Sequence, residues 1–147
     1  MDANVTIRLM EARDATRVAS LSGELGYAAT EDEMRALIGE LGRLENERLL
    51  VAALSTGDLV VGWLHAHEIT HLQTGRSVEV GGLVVADGYR NLRIGAALLQ
   101  AAETWARERG MRKLRVRSNI TRSNAHRFYD REGYTRAKTS LVFEKLL

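Results

Sequence analysis

The chain is 147 residues long, 45% hydrophobic and 27% charged, a globular composition that suits one domain with its own core and is too short for two typical ones. Its longest apolar runs, such as Leu49-Leu50-Val51-Ala52-Ala53-Leu54, fall far short of the roughly 20 residues of a membrane span. Met1-Asp2-Ala3-Asn4 shows no basic-then-apolar export pattern, so a soluble cytoplasmic protein without a membrane partner is expected, its single domain spanning 1–147. Cysteine is absent, which excludes disulfides, thiolate nucleophiles and cysteine-built metal sites.

The formal charge of +2 hides an asymmetry: residues 1–89 carry a net −7, whereas residues 90–136 hold 11 Arg and carry a net +8. An Arg-rich back half points to an anion, either nucleic acid or a phosphorylated cofactor. A nucleic-acid surface would also call for exposed aromatic residues to stack on bases; with aromatics at only 5% of the chain, no nucleic-acid partner is expected.

In chain order, Val5-Thr6-Ile7-Arg8-Leu9 alternates as a strand does. Asp14 is placed to N-cap a helix reaching about Leu25, with Val18, Leu21 and Leu25 on one face. Thr30 and Glu33 form a capping box for a second helix, whose Met34, Leu37, Ile38 and Leu41 recur at i, i+3, i+4, i+7. Two β runs, 49–54 and 59–67, flank Ser55-Thr56-Gly57-Asp58 as a hairpin, and 78–85 continues the meander after a turn at 73–76. A long amphipathic helix is predicted over 92–109, ended by Gly110. Leu114 and Val116 mark a strand, 123–132 a helix stopped by Gly133, and 139–143 a last strand. The order β-α-α-β-β-β-α-β-α-β describes a mixed α/β domain in which an antiparallel meander feeds a β-α-β unit. Gly81-Gly82 is read as a bulge that splays one strand from the next.

The stretch from Leu83 to Leu99 runs from a buried strand through a polar turn into a helix that opens on Gly95 and Ala96. Free N–H groups and small residues make such a helix start an anion site. It is neither a Walker loop nor a three-glycine dinucleotide fingerprint. Arg90-Asn91-Leu92-Arg93-Ile94-Gly95, five residues after Val85, resembles the Arg/Gln-x-x-Gly-x-Gly/Ala pyrophosphate loop of the GNAT superfamily of acyl-CoA-dependent N-acyltransferases. Asn124-Ala125-His126-Arg127-Phe128-Tyr129-Asp130-Arg131-Glu132-Gly133-Tyr134 resembles its second motif, Asn-x-x-x-x-Tyr-x-x-x-Gly-Phe. Two departures stand out: Arg93 replaces the middle glycine of the loop, and Tyr134 replaces the final Phe. The Arg93 side chain either crowds the pyrophosphate or offers it a guanidinium.

The resemblance implies the GNAT fold, a mostly antiparallel twisted sheet of six to seven strands flanked by about four helices. It also implies acetyl-CoA as co-substrate, a primary amine as acceptor, direct attack in a ternary complex, and a homodimer. Carried over by position, Glu79 is the general base and Tyr129 the acid that protonates the departing thiolate. The cofactor is then held by Leu83, Val84 and Val85, by Arg90, Asn91, Leu92, Arg93, Ile94, Gly95 and Ala96, and by Asn124. A non-catalytic acyl-CoA sensor of the same fold is the alternative.

His65 and His67 share one face of a strand, with His71 beyond a turn; no third ligand has diagnostic spacing, so no metal is assigned. No Gly-x-Ser-x-Gly elbow supports a serine hydrolase. Glu24, Glu31, Asp32, Glu33, Glu40, Glu45 and Glu47 fall on the helices and hairpin expected to face the acceptor and would favour a cationic one, with Tyr27 and Trp63 as candidate lining.

Overall fold

A computed structural model describes residues 4–118 and 122–147; the first three residues of the stretch searched for an export pattern lie outside it. The chain divides into two compact units, Met1–Val116 and Arg117–Leu147.

In the first unit, β1 (Val5–Leu9), β2 (Glu47–Leu54), β3 (Val60–His71), β4 (Gly75–Val85) and β5 (Leu114–Val116) form one sheet in that spatial order. The first three pairings are antiparallel, and β4 with β5 is parallel over Val78–Val80. A parallel pair needs a crossover, and α3 (Ile94–Glu108) supplies it. Helices α1 (Ala15–Glu24) and α2 (Glu31–Leu41) fill the connection from β1 to β2.

The two faces of the sheet follow from register, because residues directly opposite one another point the same way and neighbours along a strand point opposite ways. One face packs on α3: a Cβ on Gly62 would lie 3.2 Å from Leu98 and 3.5 Å from Ile94. Leu98, Leu99 and Ala102 of α3 are buried, and burying a leucine contributes roughly 1.5–3 kcal/mol. The other face carries Leu49, which packs with Ala15, Ile38, Met34 and Leu41 beneath α2.

The helix signals are met unevenly. Thr30 caps α2 as its sequence predicts, its hydroxyl accepting from the Glu33 N–H at 3.1 Å. Asp14 stands at the N-cap position of α1, yet its side chain caps nothing there. It is buried and receives two hydrogen bonds from the Arg8 guanidinium at 2.8 and 2.9 Å and one from the Glu11 N–H at 2.7 Å. A buried carboxylate beside a bidentate cation has a stronger partner than a helix N–H, so the cap is sacrificed to tie β1 to the start of α1. Helix α3 begins at Ile94 rather than Leu92, because Asn91 and Arg93 both take left-handed backbone (φ 65°), which a right-handed helix cannot contain.

The second unit contains α4 (Ser123–Arg131). Gly133 at φ 91° ends it, and the Tyr134 N–H returns to the Tyr129 carbonyl at 2.9 Å, as glycine stops do. The strand predicted over 139–143 is not formed, and among the described residues five strands stand where six to seven are expected. Leu141, Val142 and Phe143 have the composition of a strand but are exposed; β preference expresses itself only when a neighbouring strand and a buried face are supplied.

Burial pushes the Asp14 carboxyl up, but the Arg8 guanidinium and the Glu11 N–H outweigh it and hold it below the usual carboxylate range. A depressed carboxyl contributes stability that is present above its unfolded-state pKa, about 3.9, and is lost as pH falls through the folded value. The thermal unfolding midpoint should therefore fall as pH drops below about 4, and Asp14→Asn should lower the midpoint at neutral pH while making it less sensitive to acid; thermal melts at several pH values check both.

Candidate active site

Strand β4 pairs with β3 along its whole length but with β5 only as far as Val80. At this point the β3–β4 register shifts, with Ala66 opposite Val80 and His65 opposite Gly82, so Gly81 is the extra residue of a bulge. This is where Gly81-Gly82 leads one to expect it. Gly82 also has no room for a side chain, since a Cβ there would lie 2.7 Å from the Trp63 ring. Beyond the bulge, Leu83, Val84 and Val85 are laddered to β3 on one side and to no second strand among the described residues, an edge of the kind an extended ligand can add to.

The strand then turns into α3. The Tyr89 N–H bonds the Ala86 carbonyl at 3.0 Å, and Arg90 folds back so that its Nε donates to the Val85 carbonyl at 3.3 Å, with Asp87 3.8 Å from its Nη1. Asn91 and Arg93 are exposed, Leu92 and Gly95 half-buried, Ile94 and Ala96 buried. The first intrahelical bond runs from the Ala97 N–H to the Arg93 carbonyl, and no side chain caps the helix, so the N–H groups of Ile94, Gly95 and Ala96 project from its start as donors. Uncapped donors, small residues and a one-sided strand edge fit a pyrophosphate followed by an extended amide-bearing arm. Arg93 holds the left-handed position at which glycine is favoured; its side chain is exposed, so the departure strains the backbone without burying a charge.

On the sheet face opposite α3, register sets four polar side chains in a row. Glu47 of β2 lies opposite His67 of β3, His67 opposite Glu79 of β4, and Glu79 opposite Arg115 of β5. His65 stands two residues from His67 on the same face, and Trp63 two further on. Glu79 is buried, which suits a base that acts away from bulk water. Trp63 is half-buried, and its buried indole N–H has no hydrogen-bond partner among the described residues. Of the seven acids expected to draw a cation, Glu24, Glu31, Asp32, Glu33, Glu40 and Glu45 are exposed, and Glu31 and Asp32 are already paired with Arg35. Glu47 alone joins the polar row. Its part is invisible in the sequence, where 18 residues separate it from His65. Tyr27 is 71% exposed.

In the second unit, Tyr129 is half-buried between Phe128 and Tyr134, their ring centroids 5.1 and 6.1 Å away in edge contacts. Burial pushes its hydroxyl above the usual range, with Arg122 opposing; such a phenol stays protonated at neutral pH and remains a proton donor. Asn124 is exposed and accepts a hydrogen bond from Arg127 through its Oδ1.

The sequence profile of the Acetyltransferase (GNAT) family matches residues 12–134. An aminoalkylphosphonate N-acetyltransferase of Salmonella typhimurium is 39% identical over 115 residues, 78% of this chain and 71% of that one. Among solved structures, an aminoglycoside 6'-N-acetyltransferase from Acinetobacter baumannii superposes with a TM-score of 0.83 at 17% identity, over 97% of this chain and 99% of that one. An aminoglycoside N-acetyltransferase in complex with CoA gives 0.85 at 15% identity, over 99% and 97%; at such identities the two structures speak for the shared fold. The chain belongs to the GNAT acetyltransferase family. It is an acyltransferase that uses acetyl-CoA. No helix among the described residues is long and apolar enough to cross a membrane.

If the left-handed conformation of Arg93 is a local strain, Arg93→Gly should leave the urea unfolding midpoint unchanged or higher. Arg93→Val, β-branched and poorly suited to positive φ, should lower stability by about 1 kcal/mol.

Proposed function

We propose that the protein acetylates the primary amine of an aminoalkylphosphonate. The observation that carries this is the 39% identity to the Salmonella aminoalkylphosphonate N-acetyltransferase across most of both chains. The polar row of Glu47, His65, His67 and Glu79 beside the β4 bulge supports it, because it gives an amine a place to lose a proton next to an open strand edge.

When bound, acetyl-CoA supplies a thioester carbonyl. The acceptor amine is an ammonium near neutral pH, titrating near the lysine value of about 10.4, and cannot attack until it is deprotonated. Glu79 takes that proton, directly or through a water. A β4 N–H beyond the bulge polarises the carbonyl oxygen. The C–N bond forms as the C–S bond breaks; the new amide nitrogen gives up its second proton to solvent, and Tyr129 donates its proton to the sulfur and is reprotonated from solvent. The residues of the Arg90–Ala96 loop hold the pyrophosphate through backbone N–H groups, Leu83 to Val85 hold the pantetheine arm, and Asn124 bonds the cofactor near it. Because no acyl-enzyme is needed, amine and thioester meet in one ternary complex.

A panel of amines assayed by CoA thiol release tests the acceptor: 2-aminoethylphosphonate should give the highest kcat/KM, well above its carboxylate analogue β-alanine and above aminoglycosides. A preference for an aminoglycoside or a peptide amine would overturn the assignment while leaving acetyl transfer standing.

For the catalytic groups, Glu79→Gln should lower kcat by roughly 10² to 10⁴ and move the activity profile to higher pH, where solvent deprotonates the amine. Tyr129→Phe should lower kcat with little change in acetyl-CoA affinity. An unmoved profile removes Glu79 as the base, and an unchanged kcat removes Tyr129 as the acid.

A further inference from the structure

We propose that Glu47, His65 and His67 form a binding site for a divalent transition-metal ion of the zinc, cobalt or nickel class, on the same sheet face as Glu79. Pairing of β2 with β3 sets Glu47 directly opposite His67 and Leu49 opposite His65; the alternation of side chains along β3 then brings both imidazoles to one side. The Glu47 carboxylate lies between them. Its Oε1 is 3.2 Å from His65 Nε2 and its Oε2 is 3.5 Å from His67 Nδ1. One ligand atom from each of the three side chains can be chosen so that all lie within 4.8 Å of one another.

Bonds of about 2.0–2.2 Å to nitrogen and carboxylate oxygen place the donors of a tetrahedral ion about 3.3 Å apart. The two measured separations are close to that length, each to a different oxygen of the Glu47 carboxylate, so the carboxylate can take an ion through both oxygens or through one after a turn of an imidazole. The rings are 5.3 Å apart and tilted by 50°, so they are not stacked on one another, and one presents Nε2 while the other presents Nδ1. Glu47 is 10% exposed and the two imidazoles 25% and 32%. The carboxylate is thus largely shielded from water, while the histidines leave a path by which an ion can enter.

The donor set selects the metal. Two imidazoles and one carboxylate suit zinc and its neighbours, whereas magnesium and calcium require oxygen ligands throughout. Three protein ligands leave at least one coordination position for water or another oxygen donor, as in open sites and not in closed structural ones. With His67 directly opposite Glu79 in the ladder, that ion would lie one strand from the candidate base. A carboxylate merely hydrogen-bonded to two imidazoles makes the opposite prediction, because it has no affinity for metal.

Full-length protein stripped with chelator and titrated with CoCl2 distinguishes the two, read by visible absorption and calorimetry. The expected result is one saturable Co2+ per chain, with bound-cobalt absorption bands. Affinity should fall by more than about tenfold, the low end of what losing even an outer-shell partner does, in both Glu47→Gln and His67→Ala. His71→Ala, on the same strand outside the cluster, should bind as the parent does. Should either variant lose its cooperative thermal transition, His65→Gln replaces it as the ligand deletion. Absence of saturable binding in the parent overturns the proposal, as does binding that survives these substitutions in folded protein.

Discussion

Strand β4 has to satisfy two neighbours that do not run alongside it for the same distance. Its ladder with β3 covers Gly75–Val85, whereas β5 leaves after Val80. A continuous strand with one unpaired edge would be a liability in an ordinary sheet. Here the extra residue, Gly81, falls just past the last β5 pairing at Val80, and among the described residues Leu83 to Val85 are laddered to β3 alone. The bulge requires a small residue beside it as well, because the Trp63 ring occupies the space a Gly82 side chain would need. The bulge marks the point at which β4 passes from its β5 pairing into the stretch that leads to the loop before α3.

The loop before α3 shows how far the sequence can depart from the family pattern and keep uncapped backbone donors. The free donors there are backbone N–H groups at the start of α3, and backbone donors tolerate any side chain that points away. Arg93 therefore replaces a glycine at the cost of left-handed strain and not of the donors themselves. Elsewhere, several arginines of the back half bind the chain's own groups. Arg109 holds Glu68, Arg136 holds Asp130, and Arg127 holds Asn124.

The acidic front half followed the same logic in reverse. Five of its fourteen carboxylates, Glu24, Glu31, Asp32, Glu33 and Glu40, lie on the solvated sides of α1 and α2, where pairs such as Glu31 with Arg35 follow helical spacing. Charge counted along a chain says which sign predominates, but not which charges share a concave surface. The Glu47 carboxylate, one acid among seven by sequence, is the one that the sheet brings into its polar row.

Local signals in the sequence determined the local structure: the Thr30 cap, the hairpin between β2 and β3, the start of α3 near Gly95, the bulge at Gly81-Gly82, and the two motifs that marked the family. Each of these is encoded within a few residues, by side-chain periodicity, backbone freedom or capping chemistry. Tertiary structure decided what those signals could not contain. Asp14 went to Arg8 instead of capping α1 because a buried bidentate cation outcompetes a helix N–H. Leu141-Val142-Phe143 formed no strand because a strand exists only with a partner. Glu47 met His65 and His67 because strand register, a property of pairing between distant segments, chooses which side chains share a face.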